Sequence, residues 1–273
     1  MRNKIASTLR TVVITLLFLA FMVPFYLMVL NSFKTTEQFV NAPFSFPESF
    51  SLTNYFSAFR NMNFPVAFFN TAVLTFVSVA FILISTAMCA HFIVRNNWRI
   101  CKALFTAFVA AMVVPFQALM IPLVSLYGSM NLLNNRWTLV FMYLGFGQAF
   151  AIFIFHGFIK NVPLELEEAA LIDGCNRLQT FFRIVMPLMK PVMITVMVLD
   201  VLWIWNDYLL PSLVLLSPAQ RTLPLSTYSF FNSYSVDFSP LMAGIVLTII
   251  PILIIFLLAQ KHIISGVVQG AIK

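Results

Sequence analysis

Asp200, Trp203 and Asp207 stand at i, i+3 and i+7 of one apolar stretch, with Asn206 beside them. On a helix, that spacing puts both carboxylates and the indole on a single face. Such a set can bind a hydroxyl-rich ligand, with carboxylate and amide on the hydroxyls and the ring against an apolar face. It can also form a buried polar network that holds helices together. Two further chemistries use the same carboxylates: proton or cation sites of an ion-coupled secondary transporter, and the acid and base of an integral membrane enzyme acting on lipids. The three cysteines, Cys89, Cys101 and Cys175, have no metal-ligand spacing and read as buried thiols.

The elements that must carry these residues are apolar. Of 273 residues, 61% are hydrophobic and 9% are charged. A soluble domain runs near half apolar and a quarter charged, so an ordinary cytosolic enzyme is excluded and lipid is the solvent. Windows long enough to cross a bilayer run Thr11–Phe33, Asn61–Val94, Ala103–Asn135, Trp137–Ile159, Pro191–Gln220 and Phe238–Gln260. Six crossings are predicted in a single domain, 1–273. Arg2 and Lys4 imitate a signal peptide, but the following stretch is too long for one and reads as a retained first helix.

Six crossings leave both ends on one side. That side then holds twelve of the 16 Lys and Arg residues and the other holds only Lys34, Arg60, Arg136 and Arg221. The imbalance puts both termini in the cytoplasm. It also explains the net charge of +7 better than a nucleic-acid footprint does, because no long basic run exists. Taking Lys190 as the inner edge, Asp200 lies ~15 Å and Asp207 ~25 Å into the fifth span at ~1.5 Å per residue. A carboxylate facing lipid there is costly, so this face is predicted to point into the bundle or a wet cavity.

Between Lys160 and Lys190 lies a cytoplasmic segment that is too polar to span. Pro163 suits a helix's first turn, and Glu165, Glu167 and Glu168 suit its N-terminus. Ala169 to Ile172 continue the helix and Gly174 stops it. Asn176 can cap a second short helix carrying Phe181, Phe182 and Ile184, with Pro187 ending it. An interfacial helix pair on lipid headgroups would show the same pattern.

The stretch Glu168-Ala169-Ala170, three residues, Gly174, nine residues, Ile184-Val185-Met186-Pro187 resembles the E-A-A-x3-G-x9-I-x-L-P signature. That signature marks the membrane subunits of bacterial ATP-binding-cassette importers that work with a binding protein. Met186 replaces the usual Leu and conserves apolar volume. The resemblance implies an all-α, six-helix type I importer permease whose loop is a coupling helix docked on an ATPase. Glu168, Ala169, Ala170, Gly174, Ile184 and Pro187 are its expected ATPase-coupling residues. Small Ala169 and Ala170 would allow close approach, Glu168 would pair with a partner cation, and Gly174 would permit the sharp turn.

Trp205-Asn206-Asp207-Tyr208 followed by Pro211 is similar to the W-N-x-[FY]-x-x-P segment of the carbohydrate-importing branch. The tail Gly266–Lys273 and the Asn70-Thr71-Ala72 start of the second span also resemble that branch. In maltose-type importers such a tail reaches between the ATPase subunits. The resemblance implies the smaller of two permeases, a second homologous permease, two ATPases and an extracellular sugar-binding protein as partners. Asp200, Trp203, Asn206 and Asp207 would then line the substrate path, although the partner permease carries most substrate contacts in some relatives. An importer of non-sugar solutes shares the loop signature. No Gly is followed by Lys, so the phosphate-cradling G-x-x-x-x-G-K-[ST] loop is missing. No cofactor is expected on this chain, and ATP belongs to the partner subunits.

Overall fold

The structure, a computed structural model, describes residues 2–231 and 236–271, with side chains described within 7–231 and 236–260. Helices dominate because the apolar stretches leave backbone N–H and C=O groups no water to bond. They are α1 Arg2–Asn31, α2 Thr36–Asn41, α3 Thr53–Asn61, α4 Phe64–Arg95, α5 Arg99–Ala111, α6 Phe116–Ser129 and α7 Arg136–Ile159. There follow α8 Glu165–Ile172, α9 Arg177–Leu188, α10 Lys190–Asn206, α11 Leu209–Val214, α12 Leu223–Ser226 and α13 Phe238–Ala271. Among the described residues the β structure is one isolated bridge, Phe231 to Val236.

Four stretches are continuous, long and apolar enough to cross a bilayer: Ser7–Asn31, Phe64–Arg95, Arg136–Ile159 and Phe238–Gln260. The predicted third window is not one rod. It breaks at Met112–Pro115 into α5 and α6, which meet at 101°, with Pro115 unable to continue the first helix. The predicted fifth window also breaks. Its helix α10 ends at Asn206, and a short α11 restarts at Leu209. A 78° bend at Met189 separates α9 from α10. The two bent pairs bring the number of crossings to six if each makes one span.

Contacts divide the chain into two compact units, Met1–Pro65 with Ser226–Pro251, and Val66–Leu225 with Ile252–Lys273. In the first, the apolar window of α1 buries none of its residues. The segment after it is tightly bonded. The buried Lys34 donates from Nζ to the carbonyls of Ala42 (2.9 Å) and Pro43 (3.0 Å). Asn54 Nδ2 donates to the carbonyls of Ser32 and Lys34. Burial lowers the Lys34 ammonium below its ordinary value. Gly244 lets α13 pack closely: a β-carbon there would stand 2.8 Å from Met62 Sδ and from Phe230 Cε2.

In the second unit, α5 and α10 both lie against α7. Gly147 on α7 lets α4 come close as well, since a β-carbon there would meet Ile82 Cδ1 at 2.7 Å. One face of α4 is buried from Thr71 through Thr75, Ser78, Ile82 and Thr86 to Ala90. Asn70 and Thr71 do not begin that helix but sit inside it, where they hold the stretch 219–223. Asn70 Nδ2 donates to the carbonyls of Ala219 (3.0 Å) and Arg221 (3.1 Å), and Thr71 Oγ1 accepts from the Leu223 N–H (2.8 Å).

Candidate functional site

The segment between Lys160 and Lys190 forms as two short helices, with two corrections to the sequence reading. Pro163 lies before α8, not in its first turn, and the helix begins at Glu165. Pro187 does not end the second helix: α9 runs on to Leu188 and the chain turns at Met189. The proline is accommodated by a π-helical turn, Phe181–Val185, in which the Met186 N–H reaches back to the Phe181 carbonyl. That wider turn absorbs the missing N–H and the ring's clash with the preceding turn. Gly174 stands at φ +86°, as a helix C-terminal stop requires. Asn176 caps α9 with a reciprocal bond to Gln179.

Helical periodicity sorts the acidic run. Glu167 and Ala170, three apart, are buried, whereas Glu168 and Ala169 are exposed. Ala170 therefore packs on its own chain and is not available to a docking partner, contrary to expectation. Ile184 is half-buried and Pro187 exposed. Beside them Leu166, Leu171, Ile172, Leu178 and Phe182 are exposed, an apolar surface at the loop.

Three residues that sequence reasoning did not assign hold this segment. Glu167 Oε2 lies 2.8 Å from His91 Nε2, and Glu167 Oε1 accepts from Arg95 Nε at 2.8 Å and pairs with its Nη2 at 2.7 Å. Arg95 Nη2 also donates to the Val162 carbonyl at 2.9 Å. The fork geometry and the low exposure of all three make these strong charge-assisted bonds. Inward placement at i and i+3 was the available signal for Glu167. Nothing local marks Arg95, which lies 72 positions away.

At the fifth span the structure separates the four predicted residues. Asp200 is buried in α10, with Oδ2 unpartnered among the described residues. Asn206 is exposed and donates back to the Leu202 carbonyl. Trp203 and Asp207 line one cleft of about 730 Å³ between α5, α6, α7 and α10–α11. Its other walls are aromatic and aliphatic, among them Phe116, Tyr127, Phe141 and Phe146. Asp207 does not continue the Asp200–Trp203 face, because the helix stops at Asn206 and Asp207 is extended (ψ 125°). Its Oδ1 accepts from the Leu209 N–H (2.9 Å) and weakly from that of Leu210 (3.4 Å), starting α11. Its Oδ2 accepts from Tyr143 OH at 2.8 Å. Tyr143 in turn meets the Trp203 ring edge-on, 5.5 Å between centroids. The side chains of the tail Gly266–Lys273 lie outside the described residues.

Residues 82–269 match the family described as "Binding-protein-dependent transport system inner membrane component". Over 99% of its length the chain is 41% identical to the probable starch degradation products transport system permease protein AmyC of Thermoanaerobacterium thermosulfurigenes, of which 97% is covered. Over 99% of both chains it is 34% identical to the multiple sugar-binding transport system permease protein MsmG of Streptococcus mutans. Its fold matches a chain from the crystal structure of a bacterial ABC transporter involved in the import of the acidic polysaccharide alginate. The TM-score is 0.82, the identity 21%, and the match covers 96% of this chain and 97% of that one. The all-α importer-permease architecture is the one predicted.

Proposed function

The chain belongs to the family of binding-protein-dependent transport system inner membrane components, and from that premise we propose that it carries a sugar or oligosaccharide inward by alternating access. The observation behind the substrate class is the 41% identity, end to end, with a permease for starch degradation products. The site fits that chemistry. Trp203 and Tyr143 give aromatic surface for the apolar face of a sugar ring, and Asp207 supplies acceptor oxygens for hydroxyls.

Energy comes from elsewhere, since no glycine here precedes a lysine and the phosphate-cradling loop is absent. Two ATPase subunits bind the nucleotide and dock against the exposed face around Glu168 and Ala169, with Gly174, Ile184 and Pro187 shaping the turn and the second limb. A second, homologous permease completes the path, and an extracellular sugar-binding protein delivers the solute. Both termini lie in the cytoplasm and the chain crosses the membrane six times. ATP binds one of two conformations better, and the loop hands that preference to the spans.

Vesicles containing this chain with its partner permease, ATPases and binding protein test the reading. They should take up a labelled starch-derived oligosaccharide only when ATP is supplied to the ATPase side. Uptake driven by an ion gradient through this chain alone would overturn it in favour of a secondary carrier. ATP-dependent uptake of an amino acid but no sugar would overturn the substrate class.

A further inference from the structure

We infer that Glu167, clamped by Arg95 and His91, is the positioning residue through which displacement of the coupling segment reaches the outer end of the second span. This rests on the importer reading above. Four contacts join the last turns of α4 to both limbs of the coupling segment. Arg95 bonds the Val162 carbonyl before α8 and the Glu167 carboxylate within it. His91 bonds the same carboxylate, and its ring lies 5.3 Å from that of Phe181, the first residue of the π turn.

The covalent connections to the segment are compliant by comparison. Non-helical Asn161–Pro163 links it to α7, and the bend at Met189 links it to α10. A push on α8 therefore meets its stiffest buried attachment at α4, a continuous 32-residue helix. At the far end, Asn70 and Thr71 hold three backbone groups of the stretch 219–223. From Thr71 to Arg95 is ~36 Å at ~1.5 Å per residue. One rod thus joins the ATPase-facing cluster to the chain on the opposite face of the membrane. Glu168, one position away and exposed, makes none of these contacts and faces the docking partner. Position 167 transmits and position 168 docks.

The test uses the assembled complex in vesicles and reads solute taken up, ATP hydrolysed and the amount of ATPase that co-purifies. Glu167→Gln, Arg95→Gln and the double variant should each lower uptake about tenfold, within the usual range of coupling between sites. Hydrolysis and co-purifying ATPase should stay within about twofold of wild type, and the double variant should lose no more than either single one. Arg95→Lys keeps a cation but not the fork, and should show the same loss should Glu167→Gln fail to accumulate. An unchanged ratio of uptake to hydrolysis, even with a lowered Tm, would reduce the cluster to a purely structural role and overturn the inference. Single-variant losses that multiply in the double variant would overturn it too. A wild-type complex that takes up nothing with ATP overturns the importer reading itself, and this inference with it.

Discussion

Asp207 shows how one carboxylate can organise a break in a helix. It begins α11 by accepting two backbone N–H groups, and it takes a third bond from Tyr143, so its orientation is set before any ligand arrives. Replacing Tyr143 by Phe removes the hydroxyl and leaves Oδ2 unpaired, a loss of about 1–3 kcal/mol for a bond to a charged group. Thermal unfolding of the purified complex should register the drop. Asp207→Ala should destabilise more than Asp207→Asn, because the amide keeps an acceptor for the Leu209 N–H and alanine keeps none. Equal melting points for the two would contradict the capping role. Trp203 and Asp207 stood out by their types, but the helical spacing misled, because the helix stops at Asn206. Tyr143 did not stand out, because a lone Tyr in an apolar span is unremarkable until its partner, 64 residues on, folds beside it.

The coupling segment is the element whose local chemistry and sequence agree best. Gly174 at positive φ and the Asn176–Gln179 box fix the angle between α8 and α9. A β-carbon on Gly174 meets nothing within 4 Å, so Gly174→Ala carries only the backbone strain, about 1–2 kcal/mol. Gly174→Trp adds an indole on the surface that the proposed function assigns to the ATPase. The alanine variant should keep most uptake, whereas the tryptophan variant should hydrolyse ATP without uptake while its spans remain inserted. Unchanged uptake by Gly174→Trp would remove the segment from the coupling role. Pro187 was misread as a terminator because a proline forbids a regular α-turn but tolerates the wider π turn that tertiary packing favours here.

For the whole molecule, the proposed sidedness rests on charge and is open to direct labelling. Leu166 on α8 and Phe44 after α2 are both exposed. In a cysteine-free background, Leu166→Cys should react with an impermeant thiol reagent only in inside-out vesicles, and Phe44→Cys only in intact cells. Leu166→Cys reacting in intact cells would invert the topology and detach the segment from any cytoplasmic ATPase.

Apolar windows and the Glu168–Pro187 signature were enough to read class and family resemblance. These are local properties, written in composition and in spacings shorter than a few helical turns. The burial of Glu167 and Ala170 and the pairing of Glu167 with His91 and Arg95 were decided only by the tertiary structure. Each depends on which distant helix lies alongside. A buried carboxylate is stable only where its counter-charge and donors are delivered, and that delivery is made by residues more than 70 positions away.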